Sequence, residues 1–144
     1  MLEKLHDHLV EELGHSSRTD TIFIVVAVGF NMIALCINSA ASVAALQNRE
    51  QGSYNRAADI VLAIFIVMTI LVNGIAVVGL FVGRQTRKKL LDGMIAMYSD
   101  HQVEKYYARS LVSNYGIRYI LFAAAIILLA LTAIFVPLVI RLIA

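Results

Sequence analysis

From Thr21 to Asn48 the chain runs for 28 residues without an Asp, Glu, Lys, Arg or His. As a helix this stretch is about 42 Å long, more than the roughly 30 Å hydrocarbon core of a bilayer. A bilayer offers no water to an open backbone, so the stretch must be helical if it sits in one. It predicts a transmembrane helix over residues 20–46, with Thr19 or Asp20 placed to cap its start. Asn31, Asn38 and Ser42, seven and then four residues apart, fall within about 40° of one another on the helical wheel. Ala27, Ala34, Ala45 and Arg49 extend the same stripe. Polar groups in hydrocarbon are costly, so the stripe must face protein or water.

Two further uncharged runs follow, Ile60–Gly83 with 24 residues and Tyr119–Ile140 with 22. They predict a second span over 57–83 and a third over 117–140. The short polar connection around Gly52 makes the first two spans an antiparallel hairpin. Pro137 lies near the end of the third run, where it disturbs only the last turns. The composition agrees: 60% of residues are hydrophobic and the mean hydropathy is +0.78, above the soluble norm. The single cysteine, Cys36, excludes an intrachain disulfide. A net charge of +2 gives no argument for a nucleic-acid partner.

Outside the spans, Leu2, Leu5, Leu9 and Leu13 recur at helical spacing. They predict an amphipathic N-terminal helix over 1–18 that Gly14 could end. This segment is acidic and has no long apolar run, unlike a signal peptide. Residues 84–115 read as a basic segment of two helices, 85–98 and 100–115. Ser99 and Gln102 have the spacing of a capping box at the second start. The expected architecture is an all-α membrane protein forming a single integral domain over 1–144. It has three transmembrane helices, the N-terminal amphipathic helix, and a basic helical segment between the second and third spans.

Charge sets the expected orientation. With the N-terminus inside, nine Lys and Arg lie on the inner side and three, Arg49, Arg56 and Arg141, on the outer. The positive-inside rule then predicts a cytoplasmic N-terminus and an outer C-terminus, in the cell (inner) membrane. All six Phe lie within the spans, and Tyr54, Tyr98, Tyr106, Tyr107, Tyr115 and Tyr119 lie between or at the edges of them. That is the usual partition between hydrocarbon and interface.

Several groups could carry a function. On the second span, Thr69 and Asn73 are four residues apart, and Asp59 lies toward the same side at the outer end. In an antiparallel hairpin Asn31 meets Asn73 near mid-membrane, and Arg49 meets Asp59 at the outer mouth. One reading is an ion path, whose amide and hydroxyl dipoles replace part of an ion's hydration shell, with the two mouth charges setting selectivity. The other is a hydrogen-bonded seam between helices, with Arg49 and Asp59 closing the hairpin. Gly79 and Gly83 form a GxxxG, a device for close helix approach and self-association. Arg84, Arg87, Lys88 and Lys89 follow the second span and could contact anionic lipid headgroups, or simply mark the inner side. His8, Glu12 and His15, at i, i+4 and i+7, could hold a divalent metal, against the plainer reading of a solvated charged face.

No span contains an internal acid or base, no phosphate-binding glycine loop occurs, and Ser39 and Ser42 have no base partner. The chain is therefore expected to be no enzyme and to need no cofactor. The expected function is a small homo-oligomeric pore or ion-conducting membrane protein whose first span lines the path. The alternative is a non-conducting structural or accessory subunit, docked on itself or on a partner membrane subunit. Membrane lipids are the expected small-molecule partners.

Overall fold

The computed structural model describes residues 2–53, 55–100 and 110–142. Among these residues three helices occur in order: α1 (Leu2–Glu50), α2 (Arg56–Asp100) and α3 (Ser110–Leu142). All three are long and apolar enough to cross a membrane, and no strand occurs among the described residues. At 49 residues α1 is about 74 Å long, and α2 at 45 residues is about 68 Å. Each outruns the uncharged stretch it contains.

Among the described residues the helices run on past several of the ends that the sequence suggests. Gly14 does not end a helix, and Asp20 lies inside α1 instead of capping a new start. A lone glycine costs a helix only about 1 kcal/mol relative to alanine, less than opening a whole turn of hydrogen bonds. Thr19 and Thr21 stay within the helix by donating their hydroxyls to the carbonyls of His15 and Ser17, at 3.1 and 2.9 Å. Likewise α2 passes without interruption from its apolar run to Asp100, so Ser99 lies in its last turn and not at a helix start. Residues 101–109 of the expected 100–115 helix lie outside the described residues. Ser110 to Tyr115 belong to the same helix as the third uncharged run.

The link between α1 and α2 follows from local chemistry. The Ser53 amide donates to the Asn48 carbonyl at 2.8 Å, and that of Gly52 to Arg49 at 3.0 Å. This Schellman pattern places Gly52 at φ 73°, a left-handed conformation that glycine adopts without a Cβ clash. Asn55 then caps α2, its Oδ1 accepting from the Ala58 amide at 3.1 Å.

Contacts divide the chain into two compact units. The unit formed by Val25–Ala76 and Ala124–Ala144 is inside-out by the standards of a water-soluble protein. Its buried positions are Ala27, Asn31, Ala34, Asn38 and Ser42 on α1, and Ala58, Leu62, Thr69, Asn73 and Ala76 on α2. α3 adds Ile126, Ala133 and Pro137. The spacings are three, four or seven residues, as on one face of each helix, and the seam is built largely from small and polar side chains. Ile33, Ile64, Ile75, Leu128 and Phe135 point outward and are each more than half exposed. A water-soluble surface does not sustain such an apolar exterior, whereas hydrocarbon accepts it.

The unit formed by Met1–Ile24 and Val77–Ala123 buries larger side chains: Leu80, Leu91, Met94 and Tyr119. Beyond Arg84 its outward positions on α2 are mostly polar, including Lys88, Lys89 and Asp92. The His6 ring from the start of α1 lies 6.0 Å from that of Tyr98. Apart from Asp20, the interior of this unit is apolar.

Candidate functional site

The polar stripe is buried within the chain's own bundle. Asn31 and Asn73 form a reciprocal amide pair, each Nδ2 donating to the other's Oδ1 at 2.8 Å. The second Nδ2 hydrogen of Asn73 reaches the Thr69 carbonyl at 2.7 Å, and the Thr69 hydroxyl turns back to the Phe65 carbonyl at 2.7 Å. Three of the predicted residues, Asn31, Thr69 and Asn73, thus form one hydrogen-bonded layer. Asn38 and Ser42 are also fully buried, at 0% exposure. Neither the Asn38 amide nor the Ser42 hydroxyl has a hydrogen-bond partner among the described residues.

At the end of the same unit, Arg49, Asp59 and Arg141 line a cavity of about 280 Å³ together with Ser53 and Asn55. The sequence pairs Asp59 with Arg49; in the structure Arg49 shares the cavity with Asp59, and Arg141 binds the Asp59 carboxylate through Nη1. The hairpin alone could not show this, because Arg141 arrives on α3. Three separate ends of uncharged runs, after Asn48, before Ile60 and after Ile140, meet at this cavity.

The other unit holds a second cluster, centred on Asp20. Its carboxylate is only 7% exposed as a residue, and it accepts a hydrogen bond from the Tyr119 hydroxyl. Arg87 approaches with Nη2 at 3.5 Å, and its guanidinium also lies over the Tyr119 ring, 5.5 Å from the centroid. Each helix supplies one member. Of the four basic residues read as lipid contacts, Arg87 is therefore turned inward, Arg84 is half-buried beside Gly116, and Lys88 and Lys89 face outward.

The two glycines of the GxxxG serve contacts inside the chain. A Cβ on Gly79 would lie 2.9 Å from the Phe23 ring, and one on Gly83 would overlap the Asp20 carboxylate. The Phe23 ring can swing aside, but Asp20 is held by Tyr119 and Arg87. Gly83→Ala is thus expected to lower unfolding stability by about 1–2 kcal/mol, overpacking outweighing the gain in helix propensity. Gly79→Ala should be close to neutral. Thermal unfolding of both variants in detergent checks this, and equal behaviour of the two would show that Asp20 is not held.

Among the described residues no group of three or more His, Cys, Asp or Glu stands close enough to hold a metal, so His8, Glu12 and His15 do not gather into a site. His15 instead lies 3.9 Å from Glu11 on an exposed face. Sequence reasoning also missed three members of these clusters, treating Asp20 as a cap, Tyr119 as an interface anchor and Arg141 only as an outer charge. The spacing held a signal for the first: Asp20 stands eleven residues before Asn31, close to three helical turns, and so on the same stripe.

The fold and the buried seam define an all-helical protein with three helices able to cross a membrane. Comparison of the chain with protein-family models, with curated proteins and with solved structures gave no match.

Proposed function

We propose that this protein is a non-conducting structural or accessory membrane subunit, with its polar stripe used as a helix–helix seam. The reciprocal Asn31–Asn73 pair carries this reading, because it satisfies the Asn31 and Asn73 amides inside one chain. With the stripe turned inward, the exposed span faces among the described residues are largely apolar and give a second copy little with which to close an ion path. Association, with itself or a partner subunit, then uses the apolar exterior, where Gly29, Cys36 and Ala40 on α1 are exposed. The N-terminus and the extended ends of α1 and α2 lie on the cytoplasmic side of the cell membrane, by the balance of basic residues. In this reading the role is non-enzymatic and uses no cofactor.

A second reading, the small ion-conducting homo-oligomer, draws on the unpartnered polar atoms of Asn38 and Ser42. Buried amides and hydroxyls ask for a partner, and water entering from the cavity at Arg49, Asp59 and Arg141 would supply one. Reconstitution into liposomes separates the two. The protein is expected to leave the vesicles sealed under voltage, tension and divalent metals, in wild type and Asn38→Leu alike. Flux that disappears in Asn38→Leu, with the oligomeric mass unchanged, would establish the conducting reading instead.

A further inference from the structure

We propose that the cavity beside the Asp20 cluster binds the phosphate headgroup of an anionic phospholipid. The cavity measures about 320 Å³ and lies within one unit of the chain, lined mainly by α1 and α3. Its polar side carries Ser17, Thr21, Arg87 and Arg118, and its apolar side Ile24 and Phe122. The level is that of a membrane boundary: Thr21, Gly83 and Tyr119 are the limits of the three uncharged runs, and Asp20 touches or abuts the last two.

The lining has the chemistry of an amphiphile site. The Ser17 hydroxyl and the guanidinium groups suit a phosphate diester, the Thr21 hydroxyl being already given to the Ser17 carbonyl, and arginine binds phosphate oxygens through paired N–H donors. The one carboxylate, Asp20, is already engaged by Arg87 and by the Tyr119 hydroxyl. Two guanidinium groups against that carboxylate leave one net positive charge, and Arg118 is exposed at the rim to deliver it. Ile24 and Phe122 give the cavity an apolar wall, a surface for the first methylenes of an acyl chain. A free phosphate ion gains nothing from that wall. The basic residues of the α2 flank, Lys88 and Lys89, attract anionic lipid diffusely; this cavity orients one lipid.

The test uses the full-length protein in nanodiscs of phosphatidylcholine doped with phosphatidylglycerol, with native mass spectrometry counting the lipid retained. Phosphatidylglycerol should be retained over phosphatidylcholine. Arg118→Gln should reduce the preference about fivefold, the scale of one basic residue near an anionic headgroup. Ser17→Trp, which fills the cavity without changing charge, should reduce it similarly, while Lys88→Gln with Lys89→Gln should leave most of it. Equal retention of the two lipids would overturn the proposal, as would a loss confined to the lysine variant. Full displacement of the lipid by glycerol phosphate would also overturn it, assigning the cavity to a soluble phosphate.

Discussion

Arg87→Leu is expected to destabilise the protein by about 3–5 kcal/mol, the usual result of removing one partner from a buried ion pair. Both side chains are nearly buried, Arg87 at 12% and Asp20 at 10% exposure, so only water in the adjoining cavity could stand in for the lost partner. The Tyr119 hydroxyl would still donate to Asp20, but it brings no charge to neutralise the carboxylate. The cation–π contact over the Tyr119 ring goes as well, adding about 0.5–2 kcal/mol. Asp20→Leu in the same chain should restore much of the loss, because the uncompensated carboxylate is then gone. Unfolding of the two single variants and the double variant in detergent measures this directly. A loss below about 1 kcal/mol in Arg87→Leu would place the pair in the range of solvated surface ion pairs.

The second large effect is expected at the amide layer. Asn31→Leu removes both bonds of the reciprocal pair and leaves the Asn73 Oδ1 without its donor from Asn31 in an apolar interior. The loss should be about 1–3 kcal/mol, dominated by the unsatisfied amide. Asn73→Leu should cost at least as much, because it also removes the bond to the Thr69 carbonyl. The double variant should lose clearly less than the sum of the two. A coupling energy of about 1 kcal/mol suits a hydrogen-bonded pair between membrane helices. Additive losses would mean that the two amides act independently and that the seam is not held at this layer.

These two layers were unequally legible in the sequence. The Asn31–Asn73 pairing was readable because it needs only two uncharged runs, one short connection and the helical period. Burial of Asn38, Ser42 and Thr69 was readable for the same reason: a polar stripe in hydrocarbon has few places to face. The Asp20–Arg87–Tyr119 cluster was not. Its members come from three helices, and each had a plausible local role as cap, topology signal or interface anchor. Local reading satisfied all three residues separately and so had no cause to join them.

The helix boundaries show the same limit. Gly14, Thr19, Asp20 and Ser99 are all favourable at helix ends, yet each lies within a longer helix. Capping preferences are worth about 1 kcal/mol, and the pairing of whole helices along tens of residues outweighs them.

The sequence by itself determined that the chain is helical, that three stretches are long and apolar enough to span a membrane, and that α1 carries a stripe unable to face lipid. Those follow from composition and period, which act along one helix at a time. The tertiary structure decided what that stripe meets, that the GxxxG is filled by Phe23 and Asp20 of the same chain, and that Arg87 and Arg141 turn to carboxylates. Such choices depend on which helix packs beside which, and on the high energy of an unpaired charge away from water.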